Sequence, residues 1–587
     1  MTLDGRPVAT APAPKRPLGD LPWWQSTTVY HIYPRSFSDS NGDGIGDLAG
    51  IIDKLDYLQR LGVETLWISP FFSSPQADFG YDISDHLDIA PEYGTVADCL
   101  ALIAAVHARG MKIIFDMVLN HTSNQHPWFL ESRRSRESSK RDYYLWRRGR
   151  GRRGDKAPNN WRSMLGPSGW HRDEPTGDWY WASFLPFQPD LNYRHPEVKR
   201  AMLGVVRHWL DLGVDGLRLD LFNAIFKSST FEDNPGSFRP FPSPENPHGF
   251  FQTHTGTIDH PDTLAFAREL RTAVDEVLGR ERFLVGEVFG DAKTLRRYCG
   301  EVGDAGLHLV FLFQTLQTRF DGRAVRALIA GFEREFPAPL IPTYVLGNHD
   351  RPRLMDRLGG NMDKAKLLAT LQLTARGVPF LYYGDEIGTG HHEIPLVRGL
   401  DPVATRFRSV PQRAARAMRR FGILLNRDEC RLPMSWTAGP NAGFSVEASV
   451  PWLPVHPRHT SVNVAAQESN PTSLLCCYQR LLALRARTPA LHSGRLQLLF
   501  GDGLDGDVVG FRRTSGEGSA ASVADVFLNF SREAQTIDAG KREGWAVHSS
   551  RDDEPREAAR TLRLAPNEGV VLIPVRRGAL SATPLER

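Results

Sequence analysis

Four carboxylates close apolar, strand-like runs in this chain: Asp116 in "IIFDMVLNH", Asp220 in "GLRLD", Glu287 in "FLVGE" and Asp350 in "VLGNHD". One such residue commonly just caps the helix that follows. Four gathered on one rim repel one another and raise some of their proton affinities, which suits acid, base or nucleophilic work better than stability. Their neighbours sort them. Strand periodicity puts Arg218 on the same face as Asp220, where a guanidinium favours the aimed carboxylate that a nucleophile needs. Glu287 follows an apolar run and a glycine, a setting that disfavours its charge and makes it a proton donor near neutral pH. His121 and His349 add neutral donors beside the same rim. One carboxylate kept ionised and another kept protonated is what cleavage of a glycosidic bond requires.

A second pattern lies near the start. In "SDSNGDGIGDLAGI" (38–51) side-chain oxygens recur at Asp39, Asn41, Asp43 and Asp47, with glycines at 42, 44 and 46. The spacing opens like an EF-hand loop, and Gly44 meets that loop's demand for glycine at its sixth position. The twelfth position, however, is Gly50 where a bidentate glutamate is needed, and a strand-like run precedes the loop in place of a helix. A calcium sensor is excluded; a Gly-rich turn with an Asp helix cap is the plain alternative to a metal loop.

These groups need a scaffold, and the hydrophobic periodicity describes one. Eight strand-like runs, "TVYHIYPRSF", "ETLWISP", "KIIFDMVLNH", "GLRLD", "RFLVGE", "LHLVFLF", "PTYVLGNHD" and "PFLYYGDE", alternate with amphipathic helical segments such as "DLAGIIDKLDYLQRLG" and "HPEVKRAMLGVVRHWLDLG". That alternation predicts a parallel (β/α)8 barrel, with reactive groups at the C-terminal ends of its strands; an open doubly wound sheet is the alternative, and eight fully buried strands favour closure. Two features break the alternation. The stretch between the third strand and "HPEVKRAM" is too long for an ordinary loop, and after about 495 the texture turns to short strands separated by Gly, Asp and Ser turns. The expected division is a disordered leader over 1–22, a barrel from 23–121 and 193–495, an inserted small domain over 122–192, and an antiparallel β-sandwich over 496–587.

Lys plus Arg number 71 and Asp plus Glu 68, a formal charge of +3. So even a balance gives no reason to expect nucleic acid or an anionic membrane as partner. The basic, aromatic stretch 133–156 reads as a solvated loop surface, and His391-His392, with no spaced partner, as a loop pair and not a metal site. No window approaches the roughly 18 uncharged apolar residues of a membrane span, and the leader lacks the apolar core of a secretory signal. Five cysteines without framework spacing point to reduced thiols and a cytoplasmic setting.

From about Trp24 to the C-terminus the chain resembles glycoside hydrolase family 13, the α-amylase family, and within it the bacterial α-glucosidase and oligo-1,6-glucosidase branch. "DMVLNH", "GLRLD", "GEVFG" and "GNHD" stand in the family's order, with "QPDLN" (188–192) at the expected end of the excursion. The resemblance implies Asp220 as nucleophile, Glu287 as general acid/base and Asp350 as the third carboxylate, with Arg218, His121 and His349 as contacts in the same sugar site. It further implies Tyr81 as the aromatic platform under that sugar, and Asp78 with Arg427 as the pair that grips the non-reducing terminal glucose. One structural calcium ion is implied in the first loop, held by Asp39, Asn41, Asp43, Asp47 and the Ile45 carbonyl; no organic cofactor is.

The activity implied is hydrolysis of terminal α-linked glucose from short α-glucosides by retaining double displacement, with a small α-glucoside as substrate, neither nucleic acid nor membrane as partner, and the oligomeric state left open. A transglucosylase or disaccharide isomerase on the same scaffold shares these catalytic residues and remains the alternative. Glucosidase-like binding proteins have lost carboxylates and carry a membrane span, and this chain has neither feature. Leu221, after the nucleophile, matches neither the valine common in α-1,6-acting relatives nor the threonine or alanine of α-1,4-acting ones.

Overall fold

The computed structural model describes residues 21–301, 304–420, 422–501, 504, 506–518 and 521–574; of the leader expected over 1–22, all but Leu21 and Pro22 lies outside them. Eight strands form the central sheet: β1 (Val29–Ile32), β2 (Thr65–Ile68), β3 (Lys112–Met117), β4 (Gly216–Leu219), β5 (Phe283–Gly286), β6 (Leu309–Val310), β7 (Thr343–Val345) and β8 (Val378–Tyr382). Their order is β6-β5-β4-β3-β2-β1-β8-β7, all parallel. The chain therefore folds as a TIM barrel. The strands read as near-continuous apolar runs because both faces are covered, as parallel strands require. Inward-facing Trp67, Ile114, Phe283, Val285, Val345 and Phe380 form an inner core, separate from the larger one between strands and helices.

β6 and β7, the two ends of that order, share no main-chain ladder. The fully buried Thr343 hydroxyl joins them instead. It accepts from the Leu312 N–H at 2.9 Å and donates to the Val310 carbonyl at 2.9 Å.

Helix α1 (Val96–Ala108) opens with a capping box between Thr95 and Asp98. The helical stretch expected after the first loop is broken at Lys54 into Leu48–Asp53 and Leu55–Leu61. Between β3 and β4 the excursion carries a three-stranded antiparallel sheet and a tryptophan cluster of Trp161, Trp170 and Trp181. Phe231, from the loop after β4, packs on this cluster. Most basic residues of the stretch 133–156 are exposed, as expected of a solvated surface, while Arg133 pairs with Asp173 and Arg136 and the buried Arg141 converge on Asp178. His391 likewise turns inward onto Glu429 at 2.8 Å.

Beyond helix α2 (Leu474–Arg487), antiparallel sheets of six and two strands make the C-terminal β domain. Two buried arginines fasten it. Arg485 donates to the carbonyls of Leu373, Leu491 and Gly377, and Arg513 to those of Thr374, Leu491 and Gly494. Leu373 and Thr374 end a barrel helix (Met362–Thr374), where carbonyls lack intrahelical partners and cations are favoured.

Thr343→Val keeps the side chain's shape and strands a buried N–H and C=O at the β6–β7 junction. It is expected to cost about 1–3 kcal/mol of stability, measured as a lowered unfolding midpoint; an unchanged midpoint would mean that the hydroxyl does not close the barrel.

Candidate active site

β4 lies between β3 and β5, and the registers pair Arg218 with Asp116 on one side and Val285 on the other. The guanidinium therefore sits under the ends of three strands. It donates to Asp116 Oδ1 at 2.7 Å, to Asp220 Oδ1 at 2.8 Å and to Glu287 Oε2. The side chain is 2% exposed, so these pairs are desolvated and act at short range in a medium of low polarity. Immediately after the strand, Leu221 takes the left-handed φ of 27°, a strained position for a branched residue of the kind that collects at functional sites. Phe222 N–H then donates to the Glu287 carbonyl at 2.8 Å, tying the two strand ends together.

Environment separates the carboxyls. Burial raises Glu287, Arg218 opposes that, and the neighbouring Asp220, Asp350 and Asp116 add to it; the net direction is up. Asp116 is also raised, first by burial and then by Asp220, against the pull of Arg218. Asp350 goes the other way: burial alone would raise it, but His349, Arg427, Arg431 and Arg218 hold it well below the usual carboxylate range. Arg431 donates to Asp350 Oδ1 at 2.9 Å and Arg427 to the same oxygen at 3.3 Å. Burial, aided by the arginines, lowers His349 to about 3 against the pull of Asp350, which keeps its ring neutral.

Tyr81 stacks on His349 with centroids 5.3 Å apart and planes 13° from parallel. Its hydroxyl reaches His349 Nε2 at 2.8 Å and donates to Asp116 Oδ2 at 3.1 Å. His121 donates from Nε2 to the Tyr81 carbonyl at 3.0 Å and accepts from Asn120 at Nδ1, so both its nitrogens serve to hold Tyr81 and β3. At the far end Arg427 donates to Asp78 Oδ1 at 2.6 Å, closing the cleft. Asp116, Asp220, Glu287, Asp350, Arg218, His349, Tyr81, Asp78 and Arg427 are thus one connected network.

Sequence reading gave no role to three further members. Gln188 donates to Asp78 Oδ2 at 3.0 Å; Asp401 takes Arg427 through Nε at 3.1 Å and Nη2 at 2.7 Å; Arg431 is the second cation on Asp350. Only Arg431 and Gln188 carried a local signal, standing inside "NRDECR" and "QPDLN".

The first loop stands apart from this cleft. Asp39, Asn41 and Asp43 each accept the N–H two residues on, at 3.1, 2.9 and 2.8 Å. Asp47 caps the helix through Gly50 N–H at 2.6 Å and holds Ser40 with its other oxygen. Gly44, at φ 89°, leaves no room for a Cβ, which would meet the Val450 carbonyl at 2.1 Å. Among the described residues no group of three His, Cys, Asp or Glu side chains is gathered for a metal. The candidate donors are all hard oxygens, but the Asp39 carboxylate already accepts from Asn41, Gly42 and Gly44 N–H and from the Ser445 hydroxyl, so an ion would have to displace some of these contacts.

A parallel barrel bearing carboxylates of divergent acidity on its C-terminal rim, closed at one end by an acid–arginine pair, is built for cleaving glycosides. The family defined as "Alpha amylase, catalytic domain" matches residues 31–494. The chain is 37% identical to a probable alpha-glucosidase of Rhizobium meliloti over 88% of its length and 91% of that protein's. It is 36% identical to an oligo-1,6-glucosidase of Parageobacillus thermoglucosidasius over 84% and 88%. Among solved structures it is similar to an alpha-glucosyl transfer enzyme (34% identity, TM-score 0.82) and to a trehalulose synthase of Pseudomonas mesoacidophila (31%, 0.81), each match covering 94% of this chain and all of the other. The chain belongs to the α-amylase family of glycoside hydrolases, family 13, in its α-glucosidase and oligo-1,6-glucosidase branch.

Burial and its acidic neighbours raise Glu287 enough to keep its acid form through neutral pH. With Glu287 as the proton donor proposed below, kcat/KM is expected to fall on the alkaline side as that proton is lost. A profile flat well into the alkaline range would remove Glu287 as the acid.

Proposed function

We propose that the protein is a retaining, exo-acting α-glucosidase that releases terminal α-linked glucose from short α-glucosides. Glu287 protonates the glycosidic oxygen while an Asp220 carboxylate oxygen attacks the anomeric carbon, and the leaving group departs with the proton. Glu287, now ionised, deprotonates a water that attacks the same carbon; the C–O bond to Asp220 breaks and α-glucose leaves. Asp350, held ionised by two arginines, takes the sugar hydroxyls, and Tyr81 forms the floor beneath the ring. The observation that carries this reading is the single guanidinium shared by Asp220 and Glu287, with Glu287 raised by its burial. The Asp78–Arg427 closure supports action at chain ends, because a chain running past it would have to break that pair. Residues 122–192 act as the inserted domain that brings Gln188 to Asp78, and 496–587 as the domain stabilising the barrel's far side.

A second reading, glucosyl transfer to another sugar instead of water, is favoured by the names of the similar solved structures. Incubation with maltose, isomaltose and sucrose followed by chromatography separates the two: glucose as the main product supports hydrolysis, and abundant new disaccharides transfer. Asp220→Asn and Glu287→Gln are each expected to lower turnover on the order of 10²–10⁴-fold with the fold intact. Retained activity in either variant would overturn its role.

The first loop would hold one calcium ion through Asp39, Asn41, Asp43, Asp47 and the Ile45 carbonyl, pinning the loop to the segment it touches at Phe444 and Trp452. A chelator is then expected to lower Tm by a few degrees and added calcium to restore it, since an ion bound only by the folded state stabilises that state. No shift and no ion released would leave the loop a hydrogen-bonded turn. The five free cysteines, four of them buried, support a reducing, cytoplasmic setting.

A further inference from the structure

A cavity of about 670 Å³ lies behind β7, against the barrel helices Gly322–Glu335 and Met362–Thr374. None of Asp220, Glu287 or Asp350 lines it, so it is separate from the sugar cleft. Close packing leaves few voids larger than a water molecule between a sheet and its helices, whereas this space has the size of a small-molecule site.

Its walls grade from apolar to cationic. Tyr344 on β7, Val325 and Leu328 on the first helix, and Leu368 and Leu371 on the second give it an apolar floor. Leucine and valine side chains offer water none of the hydrogen bonds that hold it in a cavity. Deeper in the wall stand two half-buried arginines, Arg351 and Arg357. Arg351 lies within electrostatic reach of Asp350 and Glu287. Arg357 donates to the Leu316 carbonyl at 2.5 Å and to that of Leu346, both neutral groups, and its buried Nε meets no partner among the described residues. Burial pulls Arg357 down to about 10, with Asp385 opposing that from outside the cavity. At the rim Arg319 and Arg420 are exposed, and their side chains form no hydrogen bond or ion pair with a described residue. Four guanidinium groups thus share a wall whose described lining contains no aspartate or glutamate. Sugar hydroxyls are bound best where acceptors answer their O–H donors; planar guanidinium forks answer oxyanions.

We infer that this cavity is a second ligand site, distinct from the sugar cleft, for a small amphipathic anion: a carboxylate or phosphate monoester head on the arginines, and a short apolar body seated on the leucines of the two helices. Which glycoside the enzyme cleaves does not bear on it. Because Arg357 clamps the Leu346 carbonyl, just before the turn that carries Asp350, an occupant touches the support of the catalytic rim without entering the cleft.

Calorimetric titration of the full chain at low salt tests this directly. The probes are 4-phenylbutyrate and 2-phenylethyl phosphate; 4-phenylbutyramide lacks the charge and inorganic phosphate lacks the apolar body. At least one organic anion is expected to bind once per chain, about tenfold more tightly than the amide and than inorganic phosphate, and the two probes tell which head fits. Salt on the order of 0.5 M should weaken that binding. In Arg319→Gln/Arg420→Gln, both side chains being exposed, the advantage over the amide should be lost with the unfolding midpoint unchanged. Neither anion binding better than the amide, inorganic phosphate binding as tightly as the organic anions, or a preference that survives in the double variant overturns the proposal.

Discussion

One buried guanidinium organises this active site. Arg218 is placed by register, opposite Asp116 on β3 and Val285 on β5, and its N–H groups reach carboxyls from three successive strands. A slip of one residue in β4 would turn it, and with it Asp220, to the other face of the sheet. The ladder that joins β4 to β3 and β5 is therefore also what aims the chemistry. Charge makes the constraint tighter. A single cation cannot offset three buried carboxylates, so the cluster stays near neutral only by keeping protons. Burial raises both Glu287 and Asp116 in line with that demand, and the proton held on Glu287 is the one the proposed mechanism delivers to the glycosidic oxygen.

Asp350 shows the opposite solution with the same residue types. Two arginines from a single turn, Arg427 and Arg431, converge on its Oδ1, and the carboxyl is held ionised. Arg427 is in turn fixed by Asp401, which is fully enclosed and held below the ordinary range by Arg427, Arg431 and backbone N–H donors against the effect of its burial. Three carboxyls on one rim thus differ in role through the number and angle of the cations that face them, not through their own chemistry.

Much of this was legible in the chain. The eight strands announce themselves because burial on both faces leaves unbroken apolar runs, and the carboxylates stand out because each ends such a run. Arg218 and Asp220 could be paired because alternation along a strand is a local rule. What was not legible is non-local. Asp401 reaches Arg427 across 26 residues and Gln188 reaches Asp78 across 110, and no periodicity reports such meetings. Within the largely exposed basic stretch at 133–156, the burial of Arg141 on Asp178 was hidden for the same reason. The β6–β7 junction was hidden too, since a threonine hydroxyl doing a ladder's work resembles any other strand threonine.

The closed end of the cleft and the cavity behind β7 carry opposite electrostatic designs. At the closed end every cation is matched: Arg427 by Asp78, Asp350 and Asp401, Arg218 by its three carboxyls. On the proposed reading a neutral sugar is met there by carboxylate oxygens that accept from its hydroxyls. The neighbouring cavity is lined by Arg319, Arg351, Arg357 and Arg420 and by no aspartate or glutamate among the described residues, with Arg351 in electrostatic reach of Asp350 and Glu287. Unmatched surface cations are cheap when water and salt screen them, but their influence grows as a ligand displaces that water. The catalytic network can stay unchanged while loops after β4, β6 and β8 reset the charge of that cavity, which is where binding on this barrel is free to diverge.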